Sequence, residues 1–279
     1  MKLSSLLSLL PGARRSSPQP LKPRTPISGW LEVERLGLKW RLEMASCISQ
    51  EMVNHGEWEP LTTALIREFV KPGMHVLDVG ANFGYYTLLM AQQVGETGRV
   101  WAFEPVEGYR RQLQRNAELN NLLSRIQIVP CALSDRVHVA EIDVTNATAS
   151  LHSANPKASI AREQISLKPL DAVMDELAIP RVDFIKVDVD GHEPFFLRGG
   201  AQTLRRFRPP MAMEFAQHCL HVAGSDVREQ ARLLRDLGYE ICSESTRTPY
   251  ATEMQFLTEC GNFDHSGNVL VIAPDESKR

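Results

Sequence analysis

Cysteine is scarce and unpaired in this chain: five in 279 residues, with no Cys-x-x-Cys spacing. An odd, scattered set (Cys47, Cys131, Cys219, Cys242 and Cys260) excludes a disulfide scaffold and a zinc knot, and predicts free thiols in a reducing compartment, the cytoplasm. Cys131 and Cys242 sit in apolar runs and read as small core residues. A basic excess is also missing. The formal net charge of -3 argues against nucleic acid as a partner. No apolar run approaches the ~20 residues of a membrane span, so no transmembrane segment is expected. What is left, 43% hydrophobic and 23% charged, is ordinary globular composition, enough for one large α/β domain with an appendage.

Residues 1–27 differ from the rest, with a short Leu/Ser run from Leu3 to Leu10 followed by Pro11, Arg14 and Arg15. The run is short for a signal peptide and no small-residue cleavage site follows it, so a flexible tail is the simpler reading, its amphipathic end meeting a membrane or a partner. Residues 28–70 read as a hairpin around Gly37 and a helix, packed on the core. In that helix Leu61, Leu65, Phe69 and Val70 stand at helical spacing, and Pro72-Gly73 stops it. Residues 71–275 then alternate strand and helix: "MHVLDVG", "RVWAFEP", "IQIVPCAL", "VDFIKVDV", "MAMEF", "YEICSE" and "NVLVIAP" are the strands. Among the intervening helices, the one after "MHVLDVG" carries Tyr86, Leu89, Met90 and Val94 on one face. The alternation predicts an α/β, Rossmann-like, mostly parallel sheet with helices on both faces. Residues 136–169, rich in Ser, Thr, Asn and Ala, read as a small β excursion or surface loop.

The loop after the first of these strands runs Gly80, Ala81, Asn82, Phe83, Gly84, so the middle glycine of a Gly-x-Gly-x-x-Gly fingerprint is an asparagine. A pyrophosphate needs close backbone approach there and avoids carboxylates, yet Asp78 stands two residues before Gly80. A cationic ligand fits better. S-adenosyl-L-methionine has an amino group and a sulfonium. Gly80 and Gly84 let the backbone approach the ligand, and asparagine tolerates the left-handed turn expected at Asn82. Glu104 ends the second strand 24 positions after Gly80, the place for a carboxylate that accepts from both ribose hydroxyls. Ser134 or Asp135, in "CALSD", would accept from the adenine amine.

With these motifs the chain resembles the FkbM-type methyltransferases, on "KPGMHVLDVGANFGYYTLLMA", "GRVWAFEP", "NAELN", "CALSD" and "DFIKVDVDGHEPFFLRGGAQTL", over roughly Gly56 to Phe215. The resemblance implies the class I methyltransferase fold, a seven-stranded sheet with its last strand antiparallel. It implies S-adenosyl-L-methionine as methyl donor and a hydroxyl acceptor on a sugar, glycan, lipid or polyketide. By position it makes Asp78, Gly80, Asn82, Gly84 and Glu104 cofactor contacts. One departure is "DVDG", where many members carry Asp-x-Glu-Gly, which shortens the acid at Asp190.

An aliphatic hydroxyl needs a base as its new bond forms. Strand alternation puts Lys186, Asp188 and Asp190 on one side, so Lys186 would keep Asp188 ionised to orient or deprotonate the acceptor. His192 is a second base candidate because imidazole ordinarily titrates near neutrality; the alternative is that His192-Glu193 opens a helix with Pro194 in its first turn. Asp188 and Glu214, at neighbouring strand ends, are placed like magnesium ligands of catechol-type enzymes. Phe215 stands where a further ligand would be, so no metal is expected. His218 and His221 lack a fourth ligand and read as entrance or capping residues. In "GEWEP", Trp58 reads as a core anchor and Glu57 or Glu59 as a neighbour of the cofactor's amino group. A homodimer stays open. The competing readings are an NAD(P)-dependent oxidoreductase or epimerase, which would want glycine at position 82 and a Tyr-x-x-x-Lys signature that is absent, and a non-catalytic cofactor-binding subunit.

Overall fold

The structure, a computed structural model, describes residues 29–152, 159–261 and 266–274. The tail reading of residues 1–27 lies outside them. The first elements are the strands β1 (Trp30–Arg35) and β2 (Leu38–Glu43), an antiparallel hairpin turning at Leu36 and Gly37. Alternation along β2 buries Leu38, Trp40 and Leu42. The helices α1 (Cys47–His55) and α2 (Pro60–Phe69) follow.

The central unit then runs β3 (His75–Val79), α3 (Tyr85–Val94), β4 (Arg99–Phe103), α4 (Glu107–Leu119), β5 (Ile126–Val129) and β6 (Ala132–Leu133). Next come β7 (His138–Val144), β8 (Ala149–Ser150), β9 (Ala161–Lys168), α5 (Leu170–Glu176) and β10 (Phe184–Val187). The chain ends in α6 (Glu193–Gly199), α7 (Ala201–Phe207), β11 (Met211–Phe215), α8 (Gln217–Val222), α9 (Val227–Asp236), β12 (Glu240–Ser243), α10 (Glu253–Cys260) and β13 (Gly267–Ile272).

Seven strands form one sheet in the order β12-β13-β11-β10-β3-β4-β5. Only β13 runs against the rest, pairing antiparallel with both β11 and β12, as expected of the last strand. The strand cores (Val76, Leu77, Ile185, Met211) are buried without alternation because helices cover both faces. From β3 the chain moves outward through β4 to β5, then returns to lay β10 on the other side of β3. That reversal opens a crevice beyond the carboxyl ends of β3 and β10, where ligands bind in such sheets.

Several expectations are corrected. "IQIVPCAL" is two strands, not one: Pro130, without an N–H to donate, ends β5, and Ala132–Leu133 leaves to pair with β9. Strands within residues 132–150 and 161–168 thereby build a second sheet, β6-β9-β7-β8, on its own cluster of Val106, Ile142, Val144, Ile165 and Leu167. In α2 the inward face is Thr62, Thr63, Leu65 and Ile66, while Leu61 is 48% exposed. The threonines are buried with partners, Thr62 Oγ1 donating to Glu244 Oε1 at 2.5 Å and Thr63 Oγ1 to the Trp58 carbonyl at 3.0 Å. The helix α3 is buried nearly all round instead of along one face. The helices α1, α8 and α10 are not among the expected elements.

The motif "NAELN" acquires a structural role. Asn116 and Asn120 accept the Arg41 and Lys39 backbone N–H groups, each at 2.8 Å, so α4 caps the edge of β2. Asn116 also donates to the Phe83 carbonyl at 3.2 Å, tying the hairpin to the glycine loop.

Candidate active site

The loop from β3 to α3 is shaped from beneath. Gly80 has φ +86, and a Cβ there would sit 1.9 Å from the Asp188 carbonyl oxygen. Its lack of a side chain thus serves the packing of two strand ends, and leaves its backbone in the cavity wall. Gly84, at φ +96, would press a Cβ to 2.8 Å from Leu113 Cγ. It packs on α4 and does not line the cavity, contrary to its expected ligand contact. Asn82 is left-handed as expected, with φ 51. Its Oδ1 accepts the Phe83 N–H and its Nδ2 donates to the Ala147 carbonyl, both at 2.8 Å.

Glu104 is buried at the cavity wall, with Oε2 accepting the Asn82 N–H and Oε1 the Val106 N–H, each at 2.8 Å. Burial pushes its carboxyl up to about 7. Each oxygen keeps a further lone pair for a hydroxyl in the cavity.

Asp78 differs. It is buried beneath the loop, accepts the Thr87 hydroxyl at 2.5 Å, and is absent from the cavity wall. Burial pushes its carboxyl up to about 6. Asp78 ties α3 to the end of β3, and the acids that do line the cavity are Glu59, Glu104, Asp188, Asp190 and Glu214. Ser134 and Asp135 are likewise outside the cavity. Ser134 is buried against His192, and the walls there are Ala132, Leu133, Ile142 and Leu151. An adenine ring would meet apolar side chains.

The cavity holds about 270 Å³ over the ends of β3, β4, β10 and β11. Its far side is acidic: Glu59, Asp188, Asp190 and Glu214 line it. The strand β10 stops at Val187 and Asp190 turns at φ 51, so simple alternation does not govern this stretch, yet Asp188 and Asp190 both face the cavity. Lys186 is 0% exposed, and its Nζ donates to Asp188 Oδ2 at 3.1 Å and Asn268 Oδ1 at 3.2 Å, over the Tyr86 ring. Burial alone would lower its pKa, but the carboxylates of Asp188, Glu59 and Glu214 outweigh it and hold the ammonium above its usual range. Glu59 Oε2 accepts the Tyr86 hydroxyl at 2.5 Å and Asn268 Nδ2 at 2.8 Å. Glu59, Tyr86, Asn268, Lys186 and Asp188 therefore form one network. Asn268 escaped the sequence reading because no motif marks it, and Tyr86 reads there only as part of a helix face. Glu57 does not reach the cavity; Trp58 both lines it and packs on the core.

His192 caps α6, with Pro194 in the first turn. Its Nε2 lies 3.0 Å from Ser134 Oγ, its Nδ1 3.3 Å from His152 Nε2, and its ring stacks on Phe195 at 4.4 Å. Burial, helped by repulsion from His152, pushes it down to about 3. It is a neutral wall residue, and the near-neutral titration that recommended it as a base is lost. His218 lines the cavity and His221 does not, so the two do not share a site. Phe215 is buried against Phe256. Among the described residues, no group of three or more His, Cys, Asp or Glu side chains is placed to hold a metal ion.

A mostly parallel sheet with reversed strand order and an antiparallel last strand, a glycine loop at its switch point and a buried acid at the end of the next strand make up the class I methyltransferase fold. The chain belongs to the family of the methyltransferase FkbM domain, whose sequence model matches residues 78–241, and its cofactor is S-adenosyl-L-methionine. This bears out the methyl-donor reading over the competing dinucleotide one.

Among curated proteins the chain is similar to the AMB antimetabolite synthetase AmbE of Pseudomonas aeruginosa, 26% identical over 165 residues, 46% of this chain and 8% of that protein. It is also similar to a protein-L-isoaspartate O-methyltransferase of Triticum aestivum, 43% identical over 42 residues, 15% of this chain and 18% of the relative. The chain thus spans under a fifth of either relative's length. Similar solved structures include methyltransferase FkbM from Methylobacillus flagellatus KT, with TM-score 0.46, 16% identity, and 75% of this chain and 50% of that chain covered. Fibrillarin from Aeropyrum pernix with bound S-adenosyl-L-methionine has TM-score 0.44 and 15% identity, with 90% and 85% covered. No described helix is long and apolar enough to cross a membrane.

Proposed function

We propose that the protein transfers the methyl group of S-adenosyl-L-methionine to a hydroxyl oxygen on a sugar, glycan, lipid or polyketide-type small molecule. The observation that carries this reading is the Lys186–Asp188 pair. The Asp188 carbonyl is packed against Gly80 of the cofactor loop, while its half-buried carboxylate faces the cavity.

The residues present fit the cofactor. Glu104 offers lone pairs to ribose hydroxyls, the Gly80–Asn82 backbone leaves room for the methionine tail, and Ala132, Leu133 and Ile142 offer an apolar slot for the base. Glu59, which lines the cavity, would accept from the amino group. When bound, the cofactor supplies a methyl carbon on a sulfonium, whose loss leaves a neutral thioether. The remaining work is alignment and proton removal. Lys186 holds Asp188 in one orientation, and Asp188 accepts the proton of the acceptor hydroxyl. Glu59 and Asn268 hold Lys186 from its other side. His192, held by Ser134 and stacked on Phe195, is a neutral part of the cavity wall.

The test is Asp188→Asn. Transfer of labelled methyl into a panel of sugar, lipid and polyketide alcohols should fall by ~10²–10⁴, the usual worth of a general base, while S-adenosylhomocysteine still binds within a few-fold of wild type. Undiminished transfer would remove Asp188 from the chemistry.

A further inference from the structure

The cavity has an acidic end that cofactor binding leaves unexplained. Glu104 and the glycine loop occupy the ends of β4 and β3, whereas Glu214 ends β11, two strands away, and Asp190 follows β10. Both carboxylates line the cavity, with Cys219 and His218 beside them. Glu214 is only 8% exposed, and its Oε2 is buried with no hydrogen-bond partner. A buried carboxylate oxygen loses its water without compensation unless a ligand supplies a donor. Lys186, the buried cation of this network, directs its Nζ to Asp188 and Asn268. The Asp190 carboxylate is set by a rigid turn: Gly191 abuts the Cys219 backbone so closely that a Cβ would lie 2.6 Å from it, and Cys219 Sγ stands 4.0 Å from Asp190 Oδ1.

Charge decides what completes this end. Glu59, Asp188, Asp190 and Glu214 stand against one lysine, so this end has more acids than cations. Burial, with like-charge repulsion, pushes Asp190 up to about 8 and Glu214 well above the usual carboxylate range. These carboxyls hold protons until a positive group arrives, and an ammonium brings both the missing donors and the missing charge.

We propose that the acceptor carries a protonated basic nitrogen, held by Glu214 and Asp190, which turns its hydroxyl toward Asp188. The assignment rests on the methyl-transfer reading above and names the acceptor class within it: amino alcohols and amino sugars. It is tested on the full chain saturated with S-adenosylhomocysteine, by calorimetric titration with ethanolamine, serinol and glucosamine, each against its N-acetyl counterpart, and with magnesium. The amines should bind at least tenfold more tightly than their acetylated forms. Glu214→Gln should erase that preference and leave S-adenosylhomocysteine affinity unchanged. Asp190→Asn, compatible with the left-handed backbone, should do the same should Glu214→Gln fail to fold.

Equal binding of amine and acetylated forms overturns the proposal, as does a preference that survives both substitutions, or magnesium occupying the site in place of the amines. A tenfold loss of S-adenosylhomocysteine affinity in Glu214→Gln gives this carboxylate to the cofactor's own ammonium and overturns the proposal alone. Failure of the wild type to bind S-adenosylhomocysteine overturns the methyl-transfer reading beneath it as well.

Discussion

Replacing Gly80 with alanine tests whether the cofactor loop is shaped by the ligand or by its neighbour strand. Two costs follow from the structure. The backbone at φ +86 lies where a Cβ is disfavoured by ~1–2 kcal/mol. The added carbon would also meet the Asp188 carbonyl oxygen at 1.9 Å, a contact with main chain that no rotamer relieves. Forcing a carbon into such packing costs typically ~1–3 kcal/mol, so Gly80→Ala should destabilise by about 2–5 kcal/mol in the absence of any ligand. Gly56→Ala is the matched control. Its backbone is left-handed at φ +93, but nothing lies within 4 Å of the added carbon, so only the backbone contribution applies. Equilibrium urea unfolding of the three proteins separates the two contributions. Gly80→Ala should be the less stable variant by about 1–3 kcal/mol, the steric part. Equal stability of the two variants would refute the packing argument and return Gly80 to the ligand.

Three further outcomes follow from the same site. Glu104, raised from its ordinary 4.5 to about 7, adds stability that is full below the unfolded value and is lost as pH rises through that window; Glu104→Gln should flatten the fall in stability between about pH 5 and about pH 8 by on the order of 1–3 kcal/mol, and parallel slopes in urea unfolding would contradict the burial assigned to it. Lys186→Met should destabilise by about 3–5 kcal/mol because it strands buried carboxylates, and adding Asp188→Asn should restore part of that loss in a double-mutant cycle; strict additivity would dissolve the pair. Asn82→Ala, which keeps neither the left-handed preference nor the bond to Ala147, should be less stable than Asn82→Gly by about 1 kcal/mol, measured the same way; the reverse order would deny the backbone argument.

Much of the scaffold was legible along the chain. The strand–loop–helix order, the left-handed turn at Asn82, the acid at Glu104 and the Lys186–Asp188 spacing are local features, fixed by periodicity, by one residue's conformational tolerance or by two nearby positions at a strand's end. Their placement around one cavity followed. The failures have one cause. Asp78, Gly84 and Ser134 carry the right chemistry at the right sequence distance, yet Thr87, Leu113 and His192 claim them from elements packed behind the loop.

What the amino-acid order determined by itself is therefore the sheet, its switch point and the family of its cofactor loop. Folding alone decided which acids face the cavity. It brought Asn268 across 82 positions to Lys186 and across 209 to Glu59, and it buried His192 until its imidazole stopped titrating near neutrality. Desolvation and charge coupling sum over everything packed around a group, and those neighbours come from strands that the sequence keeps far apart.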